Sequence, residues 1–212
     1  MNKSDNIFLF SKTPYPDITH IPILHVTYLQ PSIDFSVYDY IIATSKEVFT
    51  ALDKIGQWRE LPVLAISEST AEFAKKQGGK ILDVADGYGK SIIDIVKQKY
   101  ADKRALHPHA RIMAFDIENA LRGLHIEVTS FSVYETSCSK TESIKLPPDA
   151  ICIFTSPSSV RCFQESYQFL SSYRVICIGE TTAFALPEGI ECVLSKETSV
   201  ASTIERAKSL IK

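Results

Sequence analysis

The sequence predicts an α/β protein made of two similar units with parallel sheets, and two observations support that prediction. First, residues 41–49 are echoed by residues 152–160, and residues 63–71 are echoed by residues 175–183. Both echoes return after about 110 residues in the same order, which is typical of a duplicated unit rather than a short-period solenoid. Second, each echoed segment is an apolar run that meets small hydroxyl residues, which indicates a strand followed by a helix N-terminus.

Length and composition fit two small globular domains. The chain has 212 residues, of which 45% are hydrophobic and 23% are charged, and its formal net charge is -2. No apolar run approaches the length of a membrane span, and the polar start at residues 1–6 has no signal-peptide core, so we expect a cytoplasmic protein that does not bind membranes. A net charge near zero, without a Lys/Arg cluster interleaved with aromatics, argues against nucleic-acid binding.

The cysteines are expected to be buried reduced thiols. There are five of them, which is an odd count. Cys152, Cys177 and Cys192 lie inside apolar, strand-like runs, where cysteine acts as a small hydrophobic residue.

The first two predicted strands are residues 7–10 and residues 21–28, and only about ten turn-rich residues separate them. That spacing is too short for an ordinary crossover helix between parallel neighbours. Either the two strands pair differently, or a loop replaces the helix.

The first repeat shows strict alternation of predicted strands and helices. The predicted strands are residues 40–43, 61–66, 80–84, 104–107 and 125–134. The predicted helices are residues 46–55, 69–77, 90–100 and 111–122, with Gly78 and Gly79 as the C-cap of the second. This alternation implies a parallel sheet with helices on both faces and with ligands at the carboxyl ends of the strands.

The second repeat provides only three strands, so its sheet needs the two N-terminal strands as well. The predicted strands are residues 150–154, 174–178 and 190–194, and the predicted helices are residues 158–170, 181–186 and 199–211. We therefore expect the chain to start in one domain, visit the other and return. The expected boundaries are residues 1–29 plus 142–212 for domain 1, residues 38–130 for domain 2, and linker strands at residues 30–37 and 131–141.

Five short motifs occur in order over nearly the whole chain. They are Thr44-Ser45, residues 67–71, residues 133–136, residues 154–160 and residues 178–183. Together they resemble the uroporphyrinogen-III synthase family. The resemblance implies two flavodoxin-like three-layer α/β domains joined by a two-stranded β-ladder, with the substrate in the cleft between them.

The same resemblance implies a reaction. Hydroxymethylbilane, a linear tetrapyrrole, loses its terminal hydroxyl as water and closes into a ring with the last pyrrole inverted, giving uroporphyrinogen III for haem biosynthesis. This would make the protein a cyclising hydro-lyase without cofactor or metal. A monomer is the default expectation.

Three features depart from the family pattern. Residues 13–20 look too short to form the helix that usually follows the first strand. Where many members have Pro-Arg-Gly, this chain has residues 106–110, Leu-His-Pro-His-Ala, and so lacks a cation and a glycine turn. Ser67 replaces the glycine of the first Gly-x-x-Thr-Ala turn, whereas Gly179 is present in the second.

The family substrate carries eight carboxylates, yet the sequence has no strongly basic patch. Helix N-termini resolve this conflict, because their unpaired N–H groups and positive dipole end bind carboxylates. The hydroxyls of the four strand-to-helix turns are further donors, although each could also be only a helix cap. The candidate substrate-binding residues are Lys12, Thr44, Ser45, Ser67, Glu68, Ser69, Ser156, Ser158, Ser159, Gly179, Thr181 and Thr182.

Two residues are candidates for the chemistry. Tyr134 matches the tyrosine that the family pattern places in the cleft, and its phenol could donate a hydrogen bond to the leaving oxygen. It could instead only pack one domain on the other. Thr70, equivalent to Thr182 by the repeat, is the second candidate. The Glu68 and Glu180 carboxylates are expected in the first helical turns, where they complement the helix dipoles.

Other interpretations have weaker support. A two-lobed sensor that binds a small molecule without turnover would have the same architecture. The Gly-Lys-Ser sequence at residues 89–91 lacks the first glycine of a phosphate-binding loop, because Val84 stands there. His107 and His109 have the spacing of metal ligands on a strand, but no third ligand is near them in sequence.

Overall fold

The structure is a computed structural model that describes residues 6–113, 115–140 and 144–211. The polar N-terminus at residues 1–5, Ala114 in the predicted helix 111–122, and residues 141–143 of the predicted linker lie outside the described residues. The strands are β1 (Ile7–Ser11), β2 (Thr19–Pro22), β3 (Leu24–Tyr28), β4 (Tyr40–Ala43), β5 (Val63–Ala65), β6 (Ile81–Val84), β7 (Ala105–Ala110), β8 (Val128–Cys138), β9 (Ile151–Phe154), β10 (Arg174–Cys177) and β11 (Cys192–Leu194). The helices are α1 (Glu47–Leu52), α2 (Glu68–Lys76), α3 (Gly89–Lys99), α4 (Ile117–Arg122), α5 (Pro157–Ser166), α6 (Glu180–Ala183) and α7 (Val200–Ser209).

The chain forms two compact units. Unit 1 comprises Met1–Val26 with Thr136–Lys212, and unit 2 comprises Thr27–Glu135. The sheet of unit 1 has the order β11-β10-β9-β1-β2, and all of its pairs are parallel. The two N-terminal strands thus complete this sheet. Phe8 pairs with Thr19, so β1 and β2 are parallel neighbours, and residues 12–18 connect them as a loop that replaces the helix.

Unit 1 is a three-layer sandwich because alternate residues of its strands face opposite sides of the sheet. On one side, the Phe10 ring lies 5.3 Å from the Phe154 ring and 4.9 Å from the Phe163 ring of α5. On the other side, Leu9 and Ile153 pack in a cluster with Ile204 of α7. Burying aromatic and aliphatic side chains on both faces is what stabilises a parallel sheet.

The second sheet has six strands with the order β3-β8-β7-β4-β5-β6, of which β3 and β8 extend beyond the bounds of unit 2. The strand β7 pairs with both β8 and β4, and β5 pairs with both β4 and β6; all four pairs are parallel. The pairing of β3 with β8 is antiparallel, since Leu29 N–H donates to Val133 C=O and Ser139 N–H donates to Ile23 C=O. Helix α3 packs on this sheet through Ile92 and Val96, which are fully buried.

The predicted strand at residues 21–28 is in fact two strands that belong to different sheets. Ile23 N–H donates to Ile21 C=O at 2.8 Å, and this tight turn separates β2 from β3. Residues 30–37, predicted as a linker strand, contain a short 3-10 helix at Phe35–Val37, where Asp34 caps the amide of Ser36. The strand that pairs with β8 lies upstream of the predicted segment.

The predicted helix at residues 111–122 begins later than expected. Strand β7 continues to Ala110, and α4 begins only after Asp116, whose carboxylate accepts from Asn119 N–H at 3.0 Å. The prolyl ring of Pro108 does not end the strand. The sequence-based boundary at residue 107 was therefore wrong.

The expectation of reduced cysteines is wrong for one pair. Cys138, at the end of β8, forms a disulfide with Cys162 of α5. The two residues are 24 positions apart and meet only in the tertiary structure of unit 1. Cys152 and Cys177 are buried free thiols as expected, and burial raises the pKa of Cys152 to about 12. Cys192 is free and half-buried.

Two glycines end α2 as the sequence predicts. Gly78 has a φ of +85°, which favours glycine, and Gly79 N–H donates to Ala74 C=O at 2.9 Å. A Cβ on Gly79 would lie 2.7 Å from the Trp58 ring, so this position also needs glycine for packing. Within the described part of the chain, no helix is both long and apolar enough to cross a membrane.

Candidate active site

Tyr134 and Ser45 meet at one edge of the sheet in unit 2. Ser45 follows the last residue of β4, and Tyr134 on β8 is in register with Ala110, the last residue of β7. Their hydroxyl oxygens are 2.9 Å apart, within hydrogen-bonding distance. Because β4, β7 and β8 are parallel, this contact lies at their carboxyl side, where ligands bind in α/β folds.

The backbone of Tyr134 is fixed by neighbouring strands. Arg111 N–H donates to Tyr134 C=O at 2.8 Å, and Leu29 N–H donates to Val133 C=O at 2.9 Å. The Tyr134 side chain is 9% exposed. The residue is thus held firmly and is mostly buried.

A second tyrosine forms a hydrogen bond at the turn that joins β4 to α1. The Tyr28 hydroxyl, at the end of β3, donates a hydrogen bond to the carboxylate of Glu47, the first residue of α1. Lys54 Nζ lies 4.9 Å from the centroid of the Tyr28 ring, a distance suited to a cation–π contact. Tyrosines from β3 and β8 therefore both contact the turn that carries Thr44 and Ser45.

The turn that precedes α2 engages its own hydroxyls. Ser67 Oγ lies 3.1 Å from Thr70 Oγ1 and 3.3 Å from Ser69 Oγ. Thr70, the second candidate for the chemistry, is 4% exposed and faces back to Ser67. Ser69 and Glu68 are exposed in the first turn of the helix. The Thr70 hydroxyl is thus engaged with Ser67 at the start of α2.

The α5 turn is a capping box. Ser159 N–H donates to Ser156 Oγ at 3.2 Å, and Ser156 N–H donates to Ser159 Oγ at 3.2 Å. Ser159 is fully buried. Pro157, at the first helical position, has no N–H to offer. Ser158 Oγ accepts from the guanidinium of Arg161 at 3.0 Å, so an exposed cation lies beside this turn.

The remaining predicted residues lie at the carboxyl side of the unit 1 sheet. Gly179 precedes α6, which is a single turn of four residues. Thr182 is 2% exposed, and its burial matches that of its repeat equivalent Thr70, whereas Thr181 is exposed. Lys12 is exposed directly after β1. The duplication predicted from sequence therefore extends to the burial of equivalent threonines.

The candidate residues predicted from sequence did not include two arginines that lie near strand ends or helix starts. Arg111 directly follows β7 and pairs with Glu135 at 2.8 Å, and Arg161 lies one helical turn into α5. The predicted strand ended at residue 107, which placed Arg111 inside a predicted helix. The strand-like run of residues 105–110 was the signal that would have put a cation at the strand terminus. Arg111 lies three positions after Pro108.

The histidine pair on β7 is structural in character. His107 is 1% exposed, and its Nδ1 lies 3.2 Å from Ser130 Oγ. Burial, with a smaller contribution from the charge of His109, lowers the pKa of His107 to about 3, so the ring is neutral at pH 7. Among the described residues, no group of three or more His, Cys, Asp or Glu side chains could hold a metal ion.

The Gly-Lys-Ser segment forms the first turn of α3, and the turn before it makes its own hydrogen bonds. Ser91 Oγ donates to Tyr88 C=O at 2.7 Å, and the Asp86 carboxylate accepts from Tyr88 N–H at 3.2 Å. The contact with Ser91 is the largest cause that holds the pKa of Asp86 below its usual value; desolvation opposes it, and the Tyr88 N–H lowers the pKa further. A carboxylate in the turn would repel a phosphate, so this segment is a helix start rather than a phosphate-binding loop.

Comparison with known proteins identifies the family. The family model for uroporphyrinogen-III synthase HemD (HEM4) matches residues 15–205. The fold is similar to that of uroporphyrinogen-III synthetase from Helicobacter pylori, with 24% identity, a TM-score of 0.81, and coverage of 97% of this chain and 99% of that chain. A mutant uroporphyrinogen III synthase from Thermus thermophilus has 16% identity, a TM-score of 0.61, and coverage of 92% and 89%.

A comparison with curated protein sequences finds no match. The structural similarities, at 24% and 16% identity, show that the fold is shared. The family model covers most of the chain, including all four strand-to-helix turns and Tyr134. The chain therefore belongs to the uroporphyrinogen-III synthase family.

Proposed function

We propose that this protein is a uroporphyrinogen-III synthase, which cyclises hydroxymethylbilane with inversion of the last pyrrole ring. The observation that supports it best is the Tyr134 phenol, held 2.9 Å from Ser45 at the carboxyl side of a parallel sheet. Family membership supplies the reaction, and this hydroxyl pair supplies a proton donor where a substrate would bind in an α/β fold.

The reaction needs little from the protein beyond positioning and one donor. The C–O bond of the terminal hydroxymethyl group breaks, its electron pair stays on the oxygen, and a proton completes the departing water. The pyrrole nitrogen stabilises the cation that remains. To invert the last ring, its α-carbon that already carries a methylene bridge attacks first, and the older C–C bond to that bridge then breaks and re-forms at the ring's other α-carbon. That second carbon loses its proton, so the proton used for water is returned. Tyr134 would donate to the departing oxygen, and the fold would hold the two chain ends together.

Carboxylate binding is divided among helix starts and cations. Helices α2 and α5 have nine and ten residues, and the N–H groups of Glu68, Ser69 and Ser158 in their first turns would bind anions. Arg161 adds a formal charge next to Ser158, and Lys12 adds one after β1. Of the predicted turn residues, Ser69 and Thr181 are exposed and Ser158 is half-buried, whereas Thr70, Ser159 and Thr182 are buried.

The proposal includes three finer features. The enzyme is a hydro-lyase, because water leaves as the ring closes. It acts as a monomer, which light scattering of the eluting protein would test. It works in the cytoplasm, which fractionation of cells would test, and there the Cys138–Cys162 pair would meet a reducing environment.

The proposal is tested by identifying which isomer of uroporphyrinogen the protein produces. Freshly made hydroxymethylbilane is incubated with the protein, and the products are oxidised and separated into isomers I and III. We expect isomer III with the native protein and isomer I, the product of spontaneous closure, with heat-denatured protein. Isomer I alone in the presence of native protein would reject the proposal and would favour a binding protein without turnover.

A further inference from the structure

We propose that Ser45 is a positioning residue that directs and polarises the Tyr134 phenol, rather than a direct ligand of substrate carboxylates. This inference rests on the proposed function of Tyr134. It starts from the hydrogen bond between Ser45 Oγ and the Tyr134 hydroxyl, whose oxygens are 2.9 Å apart. Either hydroxyl could be the donor of this bond. The reaction itself decides which one donates.

Proton counting fixes the direction of this hydrogen bond. A phenol carries one O–H, so Tyr134 can donate to the departing oxygen only if it does not donate to Ser45. Ser45 must then donate to the phenol oxygen. A hydrogen bond received by that oxygen stabilises negative charge on it, which makes the phenol a stronger acid and a better donor.

The turn that carries Ser45 is held in place without the Ser45 hydroxyl. Glu47 accepts from the Tyr28 hydroxyl, Phe49 N–H donates to Lys46 C=O at 3.2 Å, and Ile66 N–H donates to Ala43 C=O at 2.9 Å. Removing one oxygen from Ser45 should therefore leave the backbone where it is. Its effect would be on the hydrogen bonding of the phenol.

The Tyr134 backbone is likewise held by bonds that do not involve Ser45. Arg111 N–H donates to Tyr134 C=O at 2.8 Å, and Arg111 is held in turn by its ion pair with Glu135. The strand thus fixes the Cα of Tyr134. The hydroxyl of Ser45 then selects the direction of the phenolic O–H.

The experiment compares S45A, S45T, Y134F and the double variant S45A/Y134F, with S209A as a matched loss of an exposed serine hydroxyl far along the chain. We expect S45A to lower kcat about fivefold, the effect of one lost hydrogen bond, with KM within twofold of the native value. S45T keeps the hydroxyl and should recover most of kcat. Y134F should lose more, and the double variant should match Y134F alone.

A direct role for Ser45 in binding carboxylates predicts different results. S45A would then raise KM at unchanged kcat, and its effect would multiply with that of Y134F in the double variant. Either outcome would overturn the inference. S209A should behave like the native protein in every assay.

A readout that needs no activity separates this inference from the proposed function. Tyrosines labelled with carbon-13 at Cζ are titrated by NMR, and the Tyr134 signal is assigned by its loss in Y134F. We expect S45A to raise the pKa of Tyr134, because the phenolate loses a donor. An unchanged pKa would overturn the inference. If the native protein forms no isomer III, the proposed function fails, while this titration still tests the contact.

Discussion

His107 is a buried imidazole whose protonation is coupled to folding. Its Nε2 has no hydrogen-bond partner among the described residues, and the ring is 1% exposed, so a charged ring there would lack solvation. Burial first, and the charge of His109 second, lower the pKa of His107 to about 3 from an ordinary value of 6.5. Because the folded pKa lies below the unfolded one, the neutral ring favours the folded state fully above pH 6.5. That advantage is lost as the pH falls from 6.5 toward 3.

We therefore predict that acid weakens the native protein through His107 at a pH where carboxylates do not yet titrate. Between pH 7.5 and pH 5.5, one such group removes about 1 kcal/mol from the free energy of unfolding. Urea unfolding at both values should show this loss in the native protein and a smaller loss in His107→Gln. His25→Gln, which removes an exposed histidine, is the control. Equal losses in the native protein and His107→Gln would contradict the assignment.

At the scale of elements, short sequence patterns correctly predicted strands and helix ends that nearby residues determine. Apolar runs gave β4, β5, β9 and β10 within one or two residues, because a buried parallel strand is apolar on both faces. Small hydroxyl residues marked the start of α2 and α5, and Gly78 marked the end of α2. These signals lie within a few residues of the feature that they predict.

The features that the sequence did not predict share a physical cause. Each depends on residues that are far away along the chain. Whether residues 21–28 form one strand or two depends on which sheet receives each half, and no local pattern records that. The position of Arg111 at a strand end depends on β8, which extends β7 by pairing with it. Contact between Ser45 and Tyr134, 89 residues apart, likewise needs the sheet order.

The Cys138–Cys162 disulfide is a further element-scale feature, because it ties the end of β8 to the middle of α5. Closing a loop with a separation of 24 residues restricts the unfolded chain, for which about 3 kcal/mol of stabilisation is expected. We predict that reduction lowers the free energy of unfolding by that amount. Cys162→Ser should show the same loss and should no longer respond to dithiothreitol.

Cys192→Ser is the control for this prediction, since Cys192 is a half-buried free thiol. That variant should respond to the reductant as the native protein does. Equal urea midpoints for native protein with and without dithiothreitol would show that the bond is absent or does not stabilise the fold.

At the scale of the whole molecule, duplication and insertion explain the order of the elements. The sheet of unit 1 is assembled from both ends of the chain, β1 and β2 from the start and β9 to β11 from the end. Counting strands predicted this path, because three strands are too few for a unit equivalent to the first repeat. A solved uroporphyrinogen-III synthetase with 24% sequence identity has a TM-score of 0.81, so the fold is shared although most side chains differ.

Unit 2 is continuous in sequence and has a buried cluster of its own, so we predict that residues 27–135 fold alone. Its cluster of buried side chains lies entirely within that range and includes Tyr40, Leu64, Val96 and Leu121. A chain of about 110 residues is long enough to bury such a core. Trp58, the single tryptophan, is fully buried 5.0 Å from the Phe49 ring and therefore reports on unit 2 specifically.

The fragment should show buried tryptophan emission and one cooperative urea transition, with a slope suited to its size. Leu64→Ala in the fragment should lower the free energy of unfolding by about 2–5 kcal/mol, because it opens a cavity in the core. Lys75→Ala, at an exposed position of α2, is the matched control and should change it little. Emission from the fragment typical of a solvated indole without urea would show that unit 2 needs the rest of the chain, and its core would then not be self-sufficient.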